Sequence, residues 1–463
     1  MLILQKNRSE MKKSLVLITV CIIAFQGLAF AQQQESWSLE ACIQYAIDHN
    51  IQIKQQTVNT EVQKNTLAQS KLNLLPTLNG QVSHDYSFGR ALDQNTYRYF
   101  NQTVMSDMFY LGGNTNVFSG LQNLNTINKN KYELLAGEQD LQSIRDNVSL
   151  AVALAYLQIL LNKELVTANE NQLNITLQQI EKTRKLVDAG SVAKGNLLQI
   201  EAQAAQEELN LITMKHQLET SYLNLTQLLE LQSPAGFEII IPEINVEQSS
   251  VITGSVDEIF RIATESRPEI KSSELKLTAS EYNLKVAKGG RIPSISLNHS
   301  YGTRYSYIDD LNINGVPIEQ DPFSEQFKNN KNFGLGLSMY IPILNGWQVN
   351  KNISNSRLAV ENSQYSLEGI KKQLYKDIQQ AYTDAVAALQ KYNASFKAVS
   401  SSEESFRYTE QKFNVGMITP VDYNVAKTQL LNAQSDMSQA KYTFIFKTKV
   451  LDFYKGLPLS LNQ

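Results

Sequence analysis

Apolar residues recur along this chain with two different periods, and the periods alternate in the same order twice. Positions 197, 200, 204, 207, 211, 214, 218, 221, 225 and 228 carry Leu, Ile, Ala, Glu, Leu, Met, Leu, Ser, Leu and Leu. The positions 226 residues later carry Tyr, Ala, Leu, Ala, Met, Ala, Phe, Lys, Leu and Tyr. Eight and nine of each ten are apolar, at the 3-and-4 spacing of a coiled-coil seam. So narrow a stripe buries one seam and leaves the remaining faces polar. Such helices suit a single-layer wall better than a thick core. The preceding stretches, 118–187 and 344–413, contain no proline, and 70 helical residues would extend roughly 105 Å.

Between the helical stretches the period falls to two. Residues 295–307 put Ile295, Leu297, Tyr301, Tyr305 and Tyr307 on one side, with Ser296, Asn298, Ser300, Gly302 and Arg304 on the other. Residues 333–343 put Phe333, Leu335, Leu337, Met339, Ile341 and Ile343 opposite Gly334, Gly336 and Ser338. The first half is less regular, with Leu78, Val82, Tyr86 and Phe88 on one side and a second strand near 103–117. Strands with one apolar face and one small, polar face suit a barrel wall between lipid and water. Their length, about eleven residues, matches a tilted membrane strand.

The alternation reflects an internal duplication. Residues 38–78 align with 255–295 at a constant shift of 217, and residues 118–231 with 344–457 at a constant shift of 226. Each half reads as helix, β-hairpin, very long helix, turn and return helix. The first repeat spans 32–231, with its hairpin at about 77–117 and its turn at 188–195. The second spans 255–463, with its hairpin at about 294–343 and its turn at 414–419. Residues 232–254, with Pro234, Gly236, Pro242 and Gly254, read as the linker.

The start of the chain sets a compartment. Lys12 and Lys13 precede an apolar run from Leu15 to Phe25, and Ala29 and Ala31 offer the small-residue spacing of a cleavage site. Residues 1–31 therefore read as a signal peptide, translation starting at Met1 or Met11. Its removal takes four basic residues and one acidic residue from totals of 42 and 45, leaving 38 and 44, a balance of −6. Cys42 then has no intramolecular partner, so no internal disulfide forms. Gly and Pro are scarce, at 21 and 10 of 463 residues, which excludes collagen-like and proline-rich classes. An acidic balance leaves no electrostatic footprint for nucleic acid.

Two hairpins cannot close a barrel, and an open sheet edge has no hydrogen-bond partner in hydrocarbon. The chain must therefore pool its strands with copies of itself. The duplicated plan, the turns VDAGSVAKGNLLQIEAQ (187–203) and FNVGMITPVDYNVAKTQ (413–429), and Pro76 and Pro293 entering the strands resemble the TolC-type outer-membrane efflux proteins, over essentially the whole exported chain. The resemblance implies a mainly α fold with membrane β: a coiled-coil α-barrel, and two hairpins per chain in a shared trimeric twelve-strand β-barrel. It implies an outer-membrane exit duct with a helical body in the periplasm, fed by an inner-membrane pump through a periplasmic adaptor. It also places Gly190, Ser191, Val192, Gly416, Met417 and Ile418 at the periplasmic tip where an adaptor docks. Asp422 is the candidate for an acidic entrance constriction; Val425 stands where relatives often carry a second carboxylate.

The same residues have plainer roles. Gly190 and Gly416 suit left-handed helix ends. Thr419, Pro420 and Asp422 read as a helix cap, first helical residue and first-turn acid. The four histidines, at 49, 84, 216 and 299, make no ligand spacing, so neither metal nor cofactor is implied and no catalytic constellation is found. The rival readings are a periplasmic coiled-coil adaptor and a structural coiled-coil protein, neither of which requires apolar-out strands.

Overall fold

The first half of the chain forms α1 (Leu39–His49), α2 (Ile51–Leu72), β1 (Asn79–Ser87), β2 (Arg90–Leu92), β3 (Tyr99–Asn101), β4 (Val104–Ser119), α3 (Gln122–Asp188) and α4 (Lys194–Leu228). The second forms α5 (Val256–Ser266), α6 (Pro268–Gly289), β5 (Ser294–Ile308), β6 (Asn312–Ile313), β7 (Val316–Pro317), α7 (Phe323–Asn329), β8 (Asn332–Tyr340), α8 (Gln348–Asn414) and α9 (Pro420–Tyr454). The structure is a computed structural model describing residues 36–92, 97–101, 103–242, 254–309, 311–313 and 316–460. The expected signal peptide and the 243–253 part of the linker lie outside the described residues.

The duplication is reproduced residue for residue in the helices. α1 and α5 have 11 residues each, α2 and α6 have 22, α3 and α8 have 67, and α4 and α9 have 35. The backbone follows the same rule. Gly120 and Leu121 have φ of 60° and 63°, and Gly346 and Trp347, 226 residues on, have 60° and 68°.

One helix was expected before each hairpin, and two are found. Asn50 is extended, with ψ 132°, and its N–H still bonds Ala46 O. Its side-chain amide donates to Leu228 O at 3.2 Å, which holds the break against the end of α4. In the second half Arg267 is extended before Pro268, because a proline ring disfavours helical geometry in the residue preceding it.

The long helices run through two compact units. One contains α1, α3 from Arg145, α4, α8 from Ile378, and α9. Its buried residues include Val152, Tyr156, Ile159, Leu160, Leu225, Ala385, Phe444 and Leu451. Tyr156 donates its hydroxyl toward Trp37 O (3.1 Å) and Ile240 O (2.5 Å), where Trp37 and Ile239 form a parallel bridge. The other unit contains α2, the remaining parts of α3 and α8, α5, α6 and the strands, with Ile259, Ala263, Ile270 and Leu374 buried.

The four main strands form one antiparallel sheet in the order β1–β4–β5–β8. Its long strands, β4 (16 residues) and β5 (15), are central, and its nine-residue strands, β1 and β8, are the edges. The strand expected over 333–343 ends at Tyr340. Ile341 and Ile343 lie beyond it, because Pro342 has no N–H to continue a ladder. Helix α7 was not anticipated.

Candidate functional site

The registers sort the sheet into two chemically opposite faces. Val82, Phe109 and Thr303 lie in one row across β1, β4 and β5, and Leu111, Tyr301 and Phe333 in one row across β4, β5 and β8. One face therefore carries Val82, Tyr86, Phe109, Leu111, Phe118, Ile295, Leu297, Tyr301, Phe333, Leu335, Leu337 and Met339, with one ion pair, His84 with Asp107, among them. Leu335 and Leu337 are 65% and 72% exposed, so little among the described residues covers them. On the other face Asn114 Nδ2 donates to Asn298 Oδ1 (2.9 Å), and Asn298 Nδ2 donates to Ser338 Oγ (3.0 Å). Gln81, Ser83, Asp85, Ser296, Ser300, Gly334 and Gly336 share that polar side. Apolar residues out and amides in is the arrangement of a wall between lipid and water.

The Ile308 end of β5 has a device that the periodicity did not reveal. β8 pairs with β5 only up to Asn332–Gly302, which leaves the last residues of β5 without a strand on that side. Side-chain amides take the strand's place. Gln326 accepts from Ser306 N (3.0 Å) and donates to Ser306 O (2.9 Å). Gln320 does the same at Ile308 (2.8 and 2.6 Å), and Asn330 donates to Arg304 O (2.9 Å). Helix α7 lies on the apolar face, with Phe323 and Phe327 packed edge-on to Phe109 and Phe323 against Tyr305. Tyr305 is thus partly covered, while Tyr301 and Tyr307 remain exposed.

Where α3 passes into α4 and α8 into α9, the two turns are built alike. Gly190 and Gly416 have φ of +71° and +75°, a region that penalises any Cβ, and Gly190 N bonds Val187 O just as Gly416 N bonds Phe413 O. Ser191, Val192, Gly416, Met417, Ile418, Thr419 and Asp422 line one cavity of about 690 Å³. Lys182 Nζ, in the last turns of α3, donates to Asn414 Oδ1 at the end of α8 at 3.0 Å. Pro420 opens α9, and Thr419 and Asp422 form a reciprocal capping box: Asp422 N donates to Thr419 Oγ1 (3.2 Å) and Thr419 N to Asp422 Oδ2 (3.3 Å). Tyr423 is buried against Phe413 and Phe406, which fixes the turn that presents Asp422. That burial pushes the Tyr423 hydroxyl up to about 12.

Eight residues after the cap begins lies a buried polar relay. Lys427, only 4% exposed, donates to Thr176 Oγ1 (2.6 Å) and Gln172 O (3.1 Å). The Thr176 hydroxyl in turn donates to Glu207 Oε2. Glu207 Oε1 accepts from Gln172 Nε2 and Gln203 Nε2, each at 3.0 Å. A hydroxyl thus joins a buried ammonium to a buried carboxylate and ties α9 to α3 and α4. Burial pulls the Lys427 ammonium down to about 8, although Glu207 opposes the fall. Sequence gave one hint, the charged Glu207 in an otherwise apolar stripe. Lys447, the charged position in the second stripe, is likewise tied, donating to Asp384 Oδ2 at 2.7 Å; that bond holds the Asp384 carboxyl below the usual range. Cys42 is fully buried and its thiol is raised to about 12 by burial, which makes it a packing residue.

The family model for outer membrane efflux proteins matches residues 42–230 and 260–445, one stretch in each repeat. Outer membrane protein TolC of Salmonella enteritidis is 22% identical over 465 residues, covering 98% of this chain and 87% of that protein. TolC of Escherichia coli (strain K12) is 22% identical over 447 residues, covering 94% and 84%. Among solved structures, CusC superposes with a TM-score of 0.77 at 17% identity, covering 91% of this chain and 92% of that one.

Proposed function

Because the chain belongs to the outer membrane efflux protein family, we propose that it is the outer-membrane exit duct of a tripartite efflux or secretion system. It conducts passively what an inner-membrane pump and a periplasmic adaptor deliver. The observation that carries this reading is the two-faced sheet with unpaired edges. Apolar side chains as exposed as Leu335 and Leu337 favour hydrocarbon, where a bare strand edge leaves backbone groups without partners. Three copies supply twelve strands and close the wall. The ladder of Asn114, Asn298 and Ser338 then lines an aqueous conduit that is polar without being selective for one charge.

The tip has two tasks in this scheme. Gly190, Ser191, Val192, Gly416, Met417 and Ile418 form the surface where an adaptor docks, and the exposure of Met417, at 73%, favours an apolar contact. The entrance opens when the hairpins splay, a motion that breaks the Lys182–Asn414 bond while the relay around Lys427 holds its helices together. Asp422 lines the tip cavity and supplies negative charge at the constriction.

Reconstitution in planar bilayers tests the reading. The detergent-purified protein is expected to run as a heat-modifiable trimer and to form ion-conducting pores; a water-soluble monomer in the absence of detergent would overturn it. Asp422→Asn keeps an oxygen acceptor for the cap and removes only the charge. Its expected effect is a lowered preference for cations, and an unaltered current–voltage curve would leave Asp422 the cap alone.

A further inference from the structure

Resting on the assembly put forward above, we propose that β8 of one subunit pairs with β1 of the next in a single register. Tyr340 stands opposite Asn79 of the partner subunit and Asn332 opposite Ser87 of the partner subunit.

Four observations on the sheet converge on this register. Both edge strands have nine residues, so only one antiparallel alignment pairs every residue of both. That alignment also matches the faces: Leu337 meets the partner's Val82 and Phe333 the partner's Tyr86 on the apolar side, while Gly336 meets the partner's Ser83 on the polar side. A slip of one residue would turn apolar side chains into the conduit, and a slip of two would leave unpaired backbone at both ends of the seam in hydrocarbon.

The upper limit of the seam is set by the glutamine strap. Gln326 and Gln320 already occupy the edge groups of Ser306 and Ile308, so β8 cannot lengthen upward past Asn332. β1 ends at Ser87, which the register places at the same level. The seam thus closes where the strap begins.

The register also satisfies the geometry of closure. Within one chain Asn332 lies level with Gln81, through Gly302 and Tyr110. Across the seam it faces Ser87 of the partner subunit, a climb of about six residues per subunit, or a stagger of about 18 around twelve strands. The climb has the sense that right-twisted strands impose on a barrel.

Cysteine pairs distinguish this register from its neighbours. Thr77 N bonds Asn114 O, so odd-numbered residues of β1 aim their backbone at β4. Ser83 therefore forms a non-hydrogen-bonded pair across the seam, the closer kind, with Cα atoms about 4.5 Å apart, within disulfide reach. A Cβ at Gly336 meets nothing within 4 Å, and Cys42 is buried and does not compete. Full-length S83C/G336C, oxidised in detergent, is expected to give covalent dimers and trimers on non-reducing gels. S83C/G334C and S83C/S338C, two residues off register and diagonal neighbours roughly 7–8 Å apart, are expected to give at least tenfold less. Preferential cross-linking of either off-register pair, or a trimer by light scattering that cross-links through none of the three, would overturn the register and leave the duct standing. Monomers by light scattering would remove the assembly itself.

Discussion

Replacing Lys427 with methionine isolates the energy of a buried charge. The wild-type ammonium is held at about 8, against an ordinary value of 10.5, chiefly by burial. Between those values the unfolded chain binds a proton that the folded chain has released, so stability rises with pH across that window and is flat below it. At about 1.4 kcal/mol per pH unit, the gain is about 3 kcal/mol by pH 10.5. A chain of this length gains roughly 1 °C in melting midpoint per kcal/mol, so the rise is about 3 °C. The assay is the thermal midpoint of helical circular dichroism in detergent, at one scan rate, from pH 7 to 10.5, for the wild type and for Lys427→Met. Other lysines and tyrosines titrate in both proteins and cancel in the difference. The wild type is expected to gain on the variant only above pH 8. Parallel curves would refute the argument, because they would mean that the ammonium is not desolvated by the fold.

Further expectations concern the relay and the glycines. Thr176→Val removes the hydroxyl between Lys427 and Glu207; hydrogen bonds to charged groups contribute about 1.5–3 kcal/mol each, so its melting midpoint should fall by several degrees. Thr167→Val, whose exposed hydroxyl donates to Lys163 O, is the control and should change little. Gly416→Ala, at φ +75°, should destabilise by about 1–2 kcal/mol, although a Cβ there meets no atom. Gly369→Ala lies inside α8 with equally open space and should stabilise by about 1 kcal/mol. The same melts check both, and opposite signs are the expected result.

How much could be read from sequence differs by element. The duplication was legible because helix lengths are repeated without a gap, and the strands because their faces differ so strongly in polarity. The cap at Thr419 and Asp422 was legible because its partners are three residues apart. The split of the second entry helix was legible in principle from Arg267–Pro268, whereas its counterpart at Asn50 carries no proline and depends on a bond to Leu228. Helix α7 escaped because seven residues cannot display a helical period, and Gln326 within it and Gln320 before it act through backbone contacts, which leave no pattern. The relay escaped for a related reason: Lys427 and Thr176 are 251 residues apart, and nothing in either neighbourhood announces the other.

The identical lengths of the paired helices constrain how such a chain can diverge. A residue inserted into α3 but not α8 would put one turn out of step with its twin, and a docking partner that touches both would lose half its footing. Length changes in the helices are therefore tolerated only in matched pairs, an improbable double event. The stretch joining β1 to β4 carries no such obligation, and it is where this lineage is free to drift and to change what the cell presents to its surroundings.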